Sequence, residues 1–238
     1  MKMGRQDQMI VHLPDTRGVV ISDWGKGNLK LGPHTYTYSR LAGKAETCPG
    51  ASVECEAVCY AKRLTRSEEA RKAWARHSKT EAVPDIDELP QGALIRLHVS
   101  GDFTTVRYIR GWVTLMRRRP DVTLWSYTRS WRVKRLLPDL EVLRALPNVE
   151  LFASMDASMP DLPPEGWRRA WLDGDPRGGQ PVGVRAHREA ATTIRRNRET
   201  YDGVFTYVCP EETKHKASCE ACQYCFKGKK GDVTFLRH

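Results

Sequence analysis

Seven cysteines fall into two groups along this chain of 238 residues. Cys48, Cys55 and Cys59 stand near the front and are followed at once by Tyr60 and Ala61. Cys209, Cys219, Cys222 and Cys225 stand at the back. Thiolates are soft ligands that suit iron–sulfur clusters and zinc above all. Three on one short loop can hold a [4Fe–4S] cluster and leave one iron open for chemistry. Four can close a cluster or a zinc ion completely, and the two-residue gaps among Cys219, Cys222 and Cys225 let successive thiolates converge. The residue types therefore predict a reactive metal site and a sealed one, the second holding another [4Fe–4S] cluster or Zn. A zinc ion at the first set would take His34 or His98 as its completing ligand.

Elements to position these groups can be read from the periodicity. The opening segment ends in a turn-rich run, Gly27-Asn28-Leu29-Lys30-Leu31-Gly32. Strands are expected from Thr35, over Leu94 to Val99, Val122 to Thr128, Val149 to Ser154, Val182 to Arg185 and Val204 to Cys209. Helices are expected over Ala61 to Ala82, Thr105 to Arg118, Val133 to Leu146 with a break at Pro138, and Glu189 to Arg198, with a short one at Trp167 to Trp171. Asp232 to Arg237 has the composition of an added edge strand. Such alternation means βαβ units and a parallel sheet. Side chains alternate between strand faces. One face then gathers Arg96, His98 and Ser100, Tyr127 and Arg129, Ser154 and Asp156, and Arg185, near the C-terminal strand ends where βα barrels carry active sites. We expect an open or partial barrel with a polar, ligand-filled interior, in which Arg129 and Arg185 are anion ligands.

Composition narrows the function. Lys and Arg number 39 against 29 Asp and Glu, a formal charge of +10. That balance suits nucleic acid or a nucleotide as partner. Basic runs at Arg117–Arg119 and Arg195–Arg198, with Lys227, Lys229 and Lys230, would neutralise phosphates, and Trp131 and Trp167 would stack on bases. No apolar run approaches the roughly 20 residues of a membrane span, and Met1 to Met9 lacks a signal-peptide core. A reducing cytoplasm is the expected compartment, where clustered cysteines mean metal more often than disulfides.

The cysteine loop after the first main strand, ending Cys59-Tyr60-Ala61, resembles that of radical S-adenosylmethionine (radical SAM) enzymes. The resemblance implies a partial (βα)6 barrel over residues 1–208 with a cysteine-rich metal-binding segment over 209–238. It implies a [4Fe–4S] cluster on Cys48, Cys55 and Cys59, with SAM on the open iron and cleaved reductively to a deoxyadenosyl radical. Ser100-Gly101-Asp102 stands where that superfamily grips the SAM amino group. Ser154, Asp156, Arg129 and Arg185 would complete the pocket. The cysteine gaps are six and three residues here, against three and two in the superfamily, and Asp102 replaces a glutamate. A likeness over nearly the whole chain is to the gene-88-type phage proteins, whose activity is not known. It is carried by Gly27 to Gly32, Cys48 to Ala61, Ser100 to Phe103, Tyr127 to Ser130 and Cys209 to Cys225. It implies a host cytoplasm.

Three functions follow as expectations: a radical-SAM-like iron–sulfur enzyme acting on nucleic acid or nucleotide, a cluster-bearing redox protein on a degenerate barrel without SAM, and a non-catalytic, zinc-stabilised nucleic-acid-binding protein.

Overall fold

The computed structural model describes residues 23–64, 67–156, 158–172, 200–201, 204–212, 216–228 and 231–235. The expected strand at Val182–Arg185, with Arg185 itself, and the expected helix at Glu189–Arg198 lie outside the described residues, as do Lys229 and Lys230.

The fold is a mixed α/β architecture built on one mostly parallel sheet. Its strands are β1 (Gly25–Lys26), β2 (Thr35–Tyr38), β3 (Leu94–Leu97), β4 (Thr123–Thr128), β5 (Val149–Met155), β6 (Arg168–Leu172), β7 (Thr200–Tyr201), β8 (Val204–Val208) and β9 (Asp232–Phe235). Their order is β1-β2-β3-β4-β5-β6-β9-β8-β7. The seven from β2 to β8 in that order run parallel, and the two short outer strands are antiparallel. Among the described residues no pairing joins β1 to β7, so the sheet is not a closed barrel.

Register separates two faces. Tyr36, Ile95, Leu124 and Val149 align across β2 to β5, and with Leu97, Leu151 and Met155 they enter the main core. Helices α1 (Val53–Ala57), α2 (Tyr60–Leu64), α3 (Glu68–Ser78), α4 (Val106–Arg118) and α5 (Leu137–Arg144) connect the strands. α4 shows why this face is helical. Thr105 caps it by accepting the Tyr108 N–H, and Tyr108, Ile109, Trp112, Val113, Leu115 and Met116 fall on one buried stripe at helical spacing. Truncating the fully buried Trp112 would cost about 3–5 kcal/mol.

On the other face Arg96 stands opposite Trp125, and Tyr127 opposite Phe152. The expected polar interior is here an aromatic surface covered by the protein's own C-terminal segment. Phe226 packs on Trp125 with ring centroids 4.7 Å apart. Cys209, Tyr224 and Cys225 pack against Phe152, Ala170 and Val233. Arg96 lies over the Tyr127 ring at 4.3 Å, and Arg168 over Phe152 at 4.2 Å.

Four local expectations are corrected. Residues 168–172 form β6 rather than a helix: Arg168 and Ala170 alternate with Arg169 and Trp171, and the segment pairs with β5 and β9. The Asp232 strand is not at the edge but between β6 and β8. Buried Asp232 accepts both the Arg169 backbone N–H (2.7 Å) and its Nε–H (2.6 Å). Pro138 does not interrupt α5 but opens it, because the first turn needs no amide donor. His98 has a left-handed φ of 56°, which breaks strand alternation. Its ring therefore turns to the helix face, with Nε2 2.9 Å from the Tyr108 hydroxyl, away from Arg96. No helix among the described residues is long and apolar enough to cross a membrane.

Candidate metal centres

The first cysteine loop is tied to the C-terminal ends of β3, β4 and β5. Ser52 caps α1, its Oγ accepting the Cys55 N–H at 3.0 Å. The same hydroxyl donates to Asp156 Oδ2 at 2.5 Å. Arg129, just past β4, forms an ion pair with that carboxylate and also donates to Ser52 Oγ at 3.2 Å. Arg132 Nη1 donates to the Gly50 carbonyl (3.2 Å), and the Tyr60 hydroxyl to the Val99 carbonyl (2.6 Å). Gly50 lies so close that a Cβ there would enter the Arg129 carbonyl. Burial raises the Asp156 pKa, but the donors Ser158, Ser52 and Arg129 outweigh it and leave it below the usual carboxylate value.

Asp102 is buried beside this loop. Its Oδ1 accepts from Thr128 Oγ1 (2.6 Å) and its own neighbour's Phe103 N–H (2.8 Å); Oδ2 accepts from the Arg129 N–H (2.8 Å) and Ser130 N–H (3.2 Å). Desolvation nevertheless holds its pKa above the usual range. Both oxygens are thus engaged in pinning the β4 exit, where the resemblance implied a grip on an amino group. Gly101 turns with φ 82°, and a Cβ there would sit 2.6 Å from Thr47 Oγ1. Ser100 is buried and, among the described residues, its Oγ has no hydrogen-bond partner. Ser154 lies on β5 opposite Ala170 of β6.

Cys48, Cys55 and Cys59 are half-buried neighbours. Cys48 Sγ accepts the Gly43 N–H at 3.4 Å. Burial, then the Asp102 charge, pushes the Cys48 thiol up to about 12. Burial also raises Cys55, with Arg129 opposing.

The second set lies on the aromatic face, and the Gly27–Gly32 run is its seat. Cys219 N–H donates to the Lys30 carbonyl (2.8 Å) and Glu220 N–H to that of Leu31 (3.2 Å). Glu220 Oε1 in return accepts the His34 N–H (2.7 Å) and the Thr35 hydroxyl (2.9 Å). Gly32, at φ 107°, has no room for a Cβ, which would enter the Glu220 carboxyl group. Lys30 Nζ reaches Glu212 at 2.8 Å and Glu211 at 3.4 Å. Burial alone would lower the Lys30 pKa, and the Glu212 and Glu211 charges reverse that. Burial pushes Cys209 and Cys219 up to about 12 and Cys225 to about 11, the Tyr127 hydrogen bond opposing at Cys225.

The donor chemistry of both sets fits a soft metal: thiols with an N–H···S contact at Cys48 and with Arg129, Lys30, Arg96 and Arg168 near enough to favour negative sulfur. Among the described residues, no three His, Cys, Asp or Glu side chains converge on a common metal position. Ser52, Ser158 as a partner of Asp156, Lys30 and Glu220 are the supporting residues that sequence patterns hid. Only Ser52, three before Cys55, carried a readable capping signal. Trp131 and Trp167 are buried in the helix-face core, which corrects their expected stacking on bases.

No solved structure matches this chain. It is 25% identical over 219 residues to a "Gene 88 protein" of Mycobacterium phage L5, spanning 79% of this chain and 82% of that protein. A "Gene 88 protein" of Mycobacterium phage D29 is 26% identical over 140 residues, 51% of this chain and 57% of that one. The pattern of the family described as Gene product 88 matches residues 22–228. That match takes in the Gly27–Gly32 seat and every cysteine, and the chain belongs to the gene product 88 family.

Proposed function

We propose that this is an iron–sulfur protein organised like a radical SAM enzyme. Cys48, Cys55 and Cys59 would hold a [4Fe–4S] cluster, and Cys209, Cys219, Cys222 and Cys225 a second cluster or a zinc ion. The observation that carries the reading is the fastening of the first cysteine loop, through Ser52, Asp156 and Arg129, to the C-terminal ends of a parallel sheet. Parallel α/β folds present their reactive groups there. A cluster with an open iron supplies one-electron reduction of a bound ligand. Ser52 and Arg129 orient the loop, and Asp102 holds the β4 exit beneath it. The +10 charge favours a nucleic acid or nucleotide substrate, and the host cytoplasm is the proposed compartment.

A second reading keeps the cluster and drops SAM. It is favoured by the engagement of Asp102 and of the Arg129–Asp156 pair within the protein, which takes up groups the SAM pocket would need. The test is anaerobic purification with iron, sulfide and zinc quantification, and EPR of the reduced protein with and without SAM. Iron and sulfide with a SAM-perturbed signal would support the enzyme. A cluster indifferent to SAM would select the redox protein. Zinc without sulfide would overturn both.

A further inference from the structure

The helix face of the sheet carries a second polar site, unrelated to the cysteines. A cavity of about 200 Å³ opens beside Asp23, Tyr38, Arg76 and His77. His77, in the last turn of α3, is buried and stacks on Tyr38 with centroids 4.2 Å apart and planes 16° from parallel. Its Nδ1 lies 2.9 Å from the Ser39 carbonyl oxygen. A carbonyl only accepts, so Nδ1 carries the hydrogen and the neutral ring turns an Nε2 lone pair outward. Nε2 is buried and, among the described residues, makes no hydrogen bond of ordinary geometry. Facing it at 3.5 Å is Asp23 Oδ1, another acceptor, which Arg76 Nη2 approaches at 3.6 Å.

Two acceptors that face each other at this distance leave room for a cation between them, either a proton or a metal ion, with Arg76 offsetting part of the Asp23 charge. Distance separates the two cases. A shared proton in a charge-assisted N–H···O bond draws the atoms to about 2.7–2.9 Å. Nitrogen and oxygen ligands about 2.0–2.2 Å from a tetrahedral zinc stand about 3.3–3.5 Å apart. The Nδ1–H···O=C bond to Ser39 is moreover the outer contact that metal-ligating histidines make with their other nitrogen. We propose that His77 Nε2 and the Asp23 carboxylate form an open site for a divalent cation of the zinc type. Water or a small ligand in the cavity completes the coordination. Among the described residues no third His, Cys, Asp or Glu joins the pair, so the ion exchanges readily. The site stands whether or not the cysteine sets hold iron.

The experiment is a zinc titration of the full, anaerobically purified chain at pH 7, read by long-range proton–nitrogen NMR of the histidine rings. Zinc taken up by free cysteines leaves the His77 ring unmoved, so the readout is specific to this site. The expected result is a shift of His77 Nε2 with Nδ1 still protonated, and an apparent affinity at least about tenfold weaker in Asp23→Asn. Asp23 is half-exposed, so that variant keeps the fold; His77→Gln, with its backbone amide spectrum as a check, removes the resonance. Protonation of both His77 nitrogens at pH 7 would make the pair a plain ion pair and overturn the proposal. So would an Nε2 resonance unmoved by millimolar zinc, or wild-type affinity in Asp23→Asn.

Discussion

Asp102 and Asp156 are two buried carboxylates a short distance apart with opposite electrostatic histories. Asp102 is held above the usual carboxylate pKa by burial, Asp156 below it by its three donors. Asp102→Ala takes this acceptor from Thr128 Oγ1 and from the Phe103 and Arg129 amides, while the Ser130 amide keeps Thr128 Oγ1 at 2.9 Å. It should destabilise the protein by about 3 kcal/mol or more in denaturant unfolding. For Asp156 the sign runs the usual way for a depressed acid. Its stabilisation is present above the unfolded pKa near 3.8 and is lost as pH falls through the lower folded value. Asp156→Asn should therefore cost about 3 kcal/mol at pH 7, and unfolding curves of variant and parent should converge as the pH drops below about 4. The thiols carry a third prediction. Burial keeps Cys48, Cys55, Cys209, Cys219 and Cys225 protonated in the metal-free chain at neutral pH. Loading a metal must expel those protons. Competition with a chelator should show apparent affinity rising with pH, by up to about tenfold per pH unit for each ligating thiol.

At the scale of elements, the Gly27–Gly32 run and the Cys219–Cys222 turn of helix are one device although nearly the whole chain separates them. Backbone bonds from Cys219 and Glu220 and the returning Glu220 carboxylate fix the turn on its seat. Gly32→Ala demands a left-handed φ from alanine and pushes into Glu220. A loss of about 1–3 kcal/mol is expected, with faster proteolysis within residues 209–228 and a red-shifted Trp125 emission as Phe226 lifts away. The same scale shows where local pattern was legible. The strands at Thr35, Leu94, Val122 and Val149 were readable as short runs rich in β-branched, aromatic and other apolar residues, and the helix at Thr105 from its 3.6-residue period. The Trp167–Trp171 stretch misleads because Arg and Ala favour helix and the two tryptophans stand four residues apart, and only pairing with β5 and β9 selects the strand.

For the whole molecule, the C-terminal stretch both supplies the second cysteine set and completes the sheet. β9 lies between β6 and β8, while Cys209, Cys219, Tyr224, Cys225 and Phe226 cover Trp125, Tyr127 and Phe152. Truncation after Val208 should not release an intact barrel. It should remove an inner strand and bare an aromatic face, read as loss of cooperative unfolding together with strong binding of a hydrophobic dye. The stepwise succession expected of six βα units ends at β6, because β9 intervenes before β8.

The sequence by itself determined the division of the cysteines, the thiolate chemistry they offer, the βα rhythm from Thr35 to Met155 and the basic balance. These are properties of residue type and short-range spacing, which neighbours along the chain express without help. Only the tertiary structure decided that Ser52 meets Asp156 and Arg129, that Asp102 is spent on the β4 exit, that Gly32 makes room for Glu220, that His98 leaves the face its parity assigned, and that His77 looks at Asp23. Each depends on a contact between segments far apart in the chain or on a single left-handed residue. Such closures are selected by the burial and hydrogen-bond satisfaction of the assembled sheet, which no local period records.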